Sequence, residues 1–207
     1  MTRYWNRNLI SSTERLPTSS ATSGIYDLVS QKVYKQANLW PSLFQSELAY
    51  SYFNTNGTSP TTQSGFDAFF AGTPAGTGVH STTISWKSDN SIGTKPSYLP
   101  DDSFAWQVEG YIYIATVGTY YFGTGSDDGN QLTVNGTIVT SYYGGRGVGG
   151  SATSPADTGS ISLGAGYISF RYRMQEGSGG DGCYVSWKPP GESAYALVPA
   201  NVLFRLP

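Results

Sequence analysis

The stretch that decides the fold is Gly118-Thr-Tyr-Tyr-Phe-Gly-Thr-Gly-Ser-Asp-Asp-Gly-Asn-Gln-Leu-Thr-Val-Asn-Gly136. Two runs within it, residues 119–122 and 132–134, are rich in the β-branched and aromatic residues that favour strands. An acidic, glycine-flanked segment at residues 126–130 separates them. Asn135-Gly136 is the pair that closes two-residue hairpins. The stretch therefore predicts a strand, an acidic turn, a second strand and a tight turn.

The acidic turn contains two adjacent carboxylates, Asp127 and Asp128. Carboxylate oxygens are preferred ligands of hard cations such as Ca²⁺. Asp side chains in turns also accept hydrogen bonds from nearby backbone amides, which requires no metal. The residues alone leave both alternatives open.

Alternating apolar and polar residues recur along the rest of the chain and predict further strands. No internal repeat of 20 to 50 residues is present, which argues against a propeller or solenoid. We expect Gly110 to divide the run 104–114 into two strands. The pattern predicts an all-β fold, an antiparallel two-sheet β-sandwich that is jelly-roll-like. The predicted strands are residues 48–53, 82–86, 104–114, 137–143, 159–163, 167–174 and 183–187.

Composition limits the classes of function. The chain has 207 residues, of which 38% are hydrophobic, including 16 Tyr, 9 Phe and 5 Trp, enough for one large β domain with a short appendage. A net charge of −2 and 13% charged residues argue against a phosphate-binding surface, so we expect no nucleic-acid partner. No run approaches the roughly 20 apolar residues that span a bilayer, so we expect no membrane insertion.

The chain has one cysteine and one histidine. A single Cys183 excludes an intrachain disulfide and a cysteine metal cluster, and we expect it to be a small buried strand residue. His80 lies in a Gly- and Thr-rich segment, where we expect an exposed loop residue. With no nucleophile elbow and no carboxylate pair of defined separation, we expect no enzymatic activity.

The first 41 residues differ from the remainder and predict a separate N-terminal arm, followed by a sandwich over residues 42–207. Residues 11–24 are rich in Ser and Thr. Residues 25–37 carry apolar side chains at helical spacing, which predicts one short amphipathic helix. Residues 1–7 lack the apolar core of a secretion signal, so we expect the protein to reach the cell exterior by another route.

The pattern Gly-x-Tyr-x-Phe-x-x-x-Ser-Asp-Asp-Gly-x-x-Leu-x-Val-x-Gly over residues 118–136 resembles the lectin-like domain first described in anthrax protective antigen and related to yeast flocculin and GLEYA adhesin domains. Further matching blocks at 161–173, 182–191 and 197–204 extend the resemblance over roughly residues 44 to 204. It implies a β-sandwich that binds sugar. In relatives that sit on glycosidases, the domain is accessory rather than catalytic.

In calcium-dependent members of that family the tandem Asp pair, often joined by a cis peptide, binds Ca²⁺ together with a second loop and the sugar hydroxyls. The resemblance thus implies Asp127 and Asp128 as metal ligands. The second loop corresponds to residues 176–182, where adhesins commonly place Asn. This chain offers Asp181 there, with Glu176 as a weaker candidate.

Aromatic and cationic side chains near these loops are candidates for sugar binding. Tyr142, Tyr143 and Trp187 could provide a stacking platform, since their rings are large and amphipathic. Arg146, in a Gly-rich loop, is a candidate donor at the rim. Each of the aromatic residues is also compatible with a place in the core.

Residues 10–41 are similar to a short block in tail and other virion proteins of marine and cyanobacterial phages. That resemblance implies a virion protein assembled in the host cytoplasm, attached to other virion proteins through residues 1–41. We therefore expect a homo-oligomeric tail fibre or adhesin that binds host-surface glycan. The alternative is a purely structural neck, baseplate or capsid-decoration protein without glycan binding.

Overall fold

The computed structural model describes residues 45–88 and 91–205. The predicted N-terminal arm, residues 1–41 with its helix, lies outside the described residues. The regular secondary structure of the described part is nearly all β, in antiparallel sheets, which confirms the predicted fold class. None of its helices is long and apolar enough to cross a membrane.

The described residues form fourteen strands, one α-helix and one 3-10 turn. In chain order they are β1 Leu48–Asn54, helix α1 Gln63–Ala68, β2 Gly76–His80, β3 Ser85–Lys87, β4 Phe104–Ile114, β5 Gly118–Asp127, β6 Gly129–Val134, β7 Thr137–Tyr142, β8 Gly150–Ser151, β9 Ser154–Pro155, β10 Asp157–Leu163, β11 Gly166–Glu176, β12 Gly182–Lys188, β13 Ala196–Leu197, a 3-10 turn Ala200–Val202 and β14 Leu203–Phe204.

These strands form two main antiparallel sheets. The larger, seven-stranded sheet has the order β2-β1-β4-β11-β6-β7, with β14 also pairing β4. The smaller, five-stranded sheet has the order β10-β5-β12-β13, with β3 also pairing β12. β8 and β9 pair with each other in a separate two-stranded ribbon. Strands that are neighbours in sequence often lie in different sheets, so the chain crosses repeatedly between the two layers.

The core lies between the sheets because alternate residues of each strand face inward. Along β11, the side chains of Phe170, Tyr172 and Met174 are at most 2% exposed. Edge-to-face contacts link the aromatic rings of the core, as between Trp86 and Trp106, whose centroids are 6.4 Å apart. Burial of this aromatic and aliphatic surface is the main stabilising contribution to such a sandwich.

The prediction that Gly110 divides residues 104–114 into two strands is wrong, because β4 is continuous. Gly110 instead marks the point where β4 changes neighbours: β1 pairs residues up to Glu109, and β14 pairs from Tyr111. A Cβ at Gly110 would lie 2.3 Å from the carbonyl oxygen of Phe204. The glycine therefore permits the close approach of β14 rather than a turn.

The predicted turn at Asn135-Gly136 is confirmed. Asn135 has φ of 52° and Gly136 has φ of 74°, and the pair joins β6 to β7. Positive φ at both central residues is the requirement of a type I′ hairpin. The two residues were sufficient to predict the turn because positive φ at two consecutive positions is a local requirement.

Cys183 is fully buried in β12, as predicted. The prediction of an exposed His80 is wrong, since the residue is 5% exposed at the end of β2. Its ring contacts that of Trp106 at 5.2 Å, and Nδ1 lies 3.0 Å from the hydroxyl of Tyr98. A Gly- and Thr-rich segment can also form a strand end that other elements cover. The local composition does not show whether such a cover exists.

Candidate functional site

The candidate site lies where two connections cross between the sheets at one end of the sandwich. Asp127 is the last residue of β5 in the smaller sheet, and Gly129 is the first of β6 in the larger sheet. The Asp127-Asp128 peptide bond between them is cis. The loop 177–181 connects β11 to β12 at the same end, because Gly182 pairs with Asp127.

Three carboxylates meet at this crossing. Oxygen atoms of Asp127, Asp128 and Glu176 all lie within 4.8 Å of one another. Glu176 is the last residue of β11 and continues the inward face of Phe170, Tyr172 and Met174. We call these three carboxylates the acidic cluster.

Glu176 is the most confined member of the acidic cluster. It is 0% exposed, and neither of its carboxylate oxygens has a hydrogen-bond partner among the described residues. Burial, reinforced by the negative charges of Asp128 and Asp127, raises the pKa of Glu176 to about 9. Burial, followed by the charge of Asp128, also raises the pKa of Asp127 to about 6. A cation placed among these oxygens would relieve this repulsion.

Asp128 has a different role, because its carboxylate is already hydrogen bonded. Oδ2 accepts hydrogen bonds from the hydroxyl of Ser59 at 2.7 Å and the amide of Gly177 at 3.0 Å. Oδ1 accepts one from the amide of Arg146 at 2.9 Å. The side chain thus ties three loops to the acidic turn. Of the two alternatives left open by the sequence, cation ligand and backbone-bonded turn residue, the structure shows the second directly for Asp128.

Arg146, predicted as a donor at the rim of a sugar site, makes its contacts with other residues of the protein. Its guanidinium forms a two-point ion pair with Asp157 and donates from Nε to the carbonyl of Ser126 at 3.2 Å. It also stacks on the ring of Tyr142, 3.8 Å from the ring centroid. A planar guanidinium suits such simultaneous pairing and stacking. Arg146 therefore fixes the loop 143–149 beside the acidic cluster.

Asp181, predicted as the metal ligand of the second loop, lies next to the acidic cluster but outside it. Its carboxylate forms an ion pair with Lys95 and is 1% exposed. Its amide donates to the hydroxyl of Ser88 at 3.1 Å. The structure brings Glu176 rather than Asp181 into the three-carboxylate group.

The three aromatic residues predicted to form a sugar-stacking platform lie in two separate places. Tyr142 is the last residue of β7 and Tyr143 follows it, near the acidic cluster. The hydroxyl of Tyr143 accepts a hydrogen bond from Gln131 at 2.9 Å. Trp187 is five residues beyond Gly182 along β12, about 16 Å away at the usual rise of a strand. It packs against the hydrophobic core. The structure does not bring Trp187 together with the two tyrosines.

The donor set fits a hard divalent cation of the size of Ca²⁺. All three groups are oxygen ligands with a combined negative charge, and within residues 45–88 and 91–205 the two oxygens of Glu176 have no hydrogen-bond partner. Asp127 and Glu176 would coordinate the ion most directly. Asp128 lies beside them, with its oxygens already accepting hydrogen bonds. Gly147 and Gly180 flank Asp127, since a Cβ at either would lie within 4 Å of its Oδ2. Small residues on both sides leave room for a further ligand.

Fold and site together define a two-sheet β-sandwich domain with an acidic cluster at one end. The chain matches the PA14 domain family over residues 49–200 and belongs to that family. A comparison with curated protein sequences finds no match.

Solved structures share the fold at low sequence identity. The PA14 domain of the MpAFP antifreeze protein has 20% identity and a TM-score of 0.62, with 80% of this chain and 93% of that chain covered. A PA14 sugar-binding domain from an RTX adhesin has 19% identity and a TM-score of 0.59, covering 77% and 98%. The epithelial adhesin 9 A domain from Candida glabrata, in complex with Galβ1-3GlcNAc, has 15% identity and a TM-score of 0.58, covering 80% and 92%.

Proposed function

We propose that the protein is a non-enzymatic adhesin that binds glycan at the acidic cluster through a bound Ca²⁺ ion. The observation that carries this proposal is the meeting of Asp127, Asp128 and Glu176 at one end of the sandwich. Ca²⁺ coordinates six to eight oxygens, so three carboxylates leave positions that sugar hydroxyls can fill. Sugar-binding adhesin domains of the same fold support this assignment.

The cation is tested by calorimetric titration of the full chain with Ca²⁺. Asp127→Asn is the informative variant, because it removes one charge without disturbing the loop hydrogen bonds that Asp128 accepts. We expect about tenfold or greater weakening of Ca²⁺ binding. Glu192→Gln removes one charge from an exposed loop residue and is the matched control. Equal Ca²⁺ affinity in wild type and Asp127→Asn would contradict the assignment.

The sugar is tested on an array of immobilised glycans, with Ca²⁺ or with a chelator. We expect binding to a subset of glycans that disappears with the chelator and in Asp127→Asn. Binding that persists in the chelator would place the glycan elsewhere. Absence of binding in Ca²⁺ would favour a structural role for the domain.

The wider role that we propose is that of a phage tail fibre or other virion adhesin, attached through residues 1–41 and assembled as a homo-oligomer in the host cytoplasm. The similarity of residues 10–41 to virion proteins supports it. Multivalency would offset weak binding at each sugar site. Sedimentation equilibrium of the full chain and mass spectrometry of particles released by lysis test it. A monomer that is missing from such particles would contradict it.

A purely structural neck, baseplate or capsid-decoration protein is the second candidate. The carboxylate of Asp128 favours it, because its hydrogen bonds to Ser59, Gly177 and Arg146 hold the loops without any ion. The Ca²⁺ titration separates the two candidates.

A further inference from the structure

A second concave site lies on the outer face of the larger sheet. The pocket has a volume of about 490 Å³ and is lined by residues of β1, β4, β6 and β11. Ala49, Glu109, Arg171 and Thr133 are paired in register and form one row across these four strands. Their neighbours Val108, Tyr172 and Leu132 are buried in the core, so alternation places the row on the outer face.

The pocket exists because small residues interrupt this face. Ala49 and Gly110 line it and have little or no side chain to fill it. Its volume lies within the range of about 300–1,000 Å³ that small-ligand sites occupy. Gln175, which lies beside the acidic cluster, is four positions beyond Arg171 along β11. At the usual rise of a strand the two residues are about 13 Å apart. The pocket is therefore distinct from the acidic cluster.

Two buried polar groups in this pocket have no internal partner. The hydroxyl Oγ1 of Thr133 and the Nε of Arg171 are both buried, and among the described residues neither forms a hydrogen bond. Thr133 is only 9% exposed. Buried polar groups are normally paired, so two of them converging on one pocket indicate a polar ligand.

The charges on the lining residues restrict the ligand. Glu109 is the direct cross-strand partner of Arg171, yet residues 45–88 and 91–205 provide no ion pair to either side chain. A ligand there meets the carboxylate of Glu109, the guanidinium of Arg171 and the hydroxyl of Thr133, which both donates and accepts. The guanidinium of Arg205 also lines the pocket, but it forms an ion pair with Glu47. A phosphate or carboxylate would be repelled by Glu109, whereas sugar hydroxyls both donate and accept. Tyr111 adds an aromatic wall of the kind that sugar rings contact.

We propose that this outer pocket, built around Thr133, Arg171 and Glu109, is a second sugar site that takes a neutral hexose unit without a metal ion. It does not depend on the acidic cluster. A domain with two such sites would contact a branched or extended glycan at two points.

The test is titration of the full chain with hexoses in the presence of a chelator, followed by ¹H–¹⁵N NMR. The chelator removes the cation on which binding at the acidic cluster depends. Hexose binding measured in the chelator therefore reports on the outer pocket alone. The probes are galactose, glucose, mannose and N-acetylglucosamine, with inorganic phosphate as the anionic comparison. We expect at least one hexose to shift amides of β4, β6 and β11 around Thr133 and Arg171, and phosphate not to do so.

Thr133→Val is the decisive variant, since Val has the same shape and removes only the unpartnered hydroxyl. We expect it to fold normally and to weaken hexose binding about fivefold to tenfold. Thr158→Val, an exposed strand threonine of the smaller sheet, is the matched control and should bind as wild type does. Unshifted amides with all four hexoses, stronger binding of phosphate, or equal affinity in Thr133→Val would each overturn the proposal.

Discussion

At the scale of single residues, strand alternation and end-of-strand position decide which carboxylate is confined. Glu176 points inward because it has the parity of Phe170, Tyr172 and Met174, and it is the last residue of β11. An inward residue in mid-strand would meet the apolar core. At the strand end it meets the acidic turn instead, so the same alternation that builds the core also supplies the third carboxylate.

The confinement of Glu176 predicts a pH dependence of stability. Its pKa rises from 4.5 to about 9 on folding, so between these values the folded chain binds a proton that the unfolded chain does not. Without a divalent cation, the contribution of Glu176 to the free energy of unfolding increases as the pH falls from about 9 towards 4.5. At alkaline pH the buried charge is destabilising.

Glu176→Gln removes that charge. We expect it to raise the free energy of unfolding by about 1–3 kcal/mol at pH about 9, and by less at pH about 6. Thermal unfolding in a chelator at both pH values measures the difference. Glu192→Gln, at an exposed position, should show no such dependence. A variant less stable than wild type at the alkaline pH would contradict the prediction.

At the scale of elements, the loop 143–149 is ordered by one side chain. It follows β7 and precedes the ribbon of β8 and β9, and it contains four glycines. Arg146 anchors it to Asp157 and to the carbonyl of Ser126, while its own amide binds Asp128. The loop is thereby coupled to the acidic turn through both backbone and side chain.

Arg146→Lys tests this anchor. Lysine keeps the charge but cannot reproduce the two-point pair with Asp157 or the stacking on Tyr142. We expect a loss of about 1–3 kcal/mol in the free energy of unfolding, together with weaker Ca²⁺ binding. Arg171→Lys, at a residue without an ion pair among the described residues, should change stability by less than about 0.5 kcal/mol. Denaturant titration of both variants measures the difference, and similar losses would refute the anchor.

At the scale of the whole molecule, the two sheets close on each other along one edge. Gly159 of β10, in the smaller sheet, faces β7 of the larger sheet, where a Cβ would lie 1.9 Å from the carbonyl oxygen of Val139. The glycine thus allows two backbones to approach more closely than any side chain would permit. This contact closes the sandwich along the edge that β7 and β10 form.

Gly159→Ala should therefore separate the sheets at this edge. We expect a loss of about 1–3 kcal/mol in the free energy of unfolding, since the backbone must shift to accept the methyl group. Gly164→Ala is the matched control, because a Cβ there would meet nothing within 4 Å. Chemical denaturation of the two variants gives the comparison. An unchanged midpoint for Gly159→Ala would show that the edge is not closely packed.

The sequence by itself determined the features that depend on local geometry. Strand alternation predicted the antiparallel sandwich, Asn135-Gly136 predicted the hairpin turn, and the flanking strands placed Asp127-Asp128 in a turn. The family resemblance pointed to the PA14 domain family that the chain matches. These predictions succeeded because period-two patterning and positive φ are properties of a few consecutive residues.

Only the tertiary structure decided which distant groups became partners. Lys95 forms an ion pair with Asp181, Arg146 forms one with Asp157, and the ring of His80 packs against that of Trp106. None of these pairs is adjacent in sequence. The outer pocket arises in the same way, from four strands that are brought into register. Such choices depend on which strands become neighbours and on which charges can be paired when water is excluded, and no local pattern encodes either.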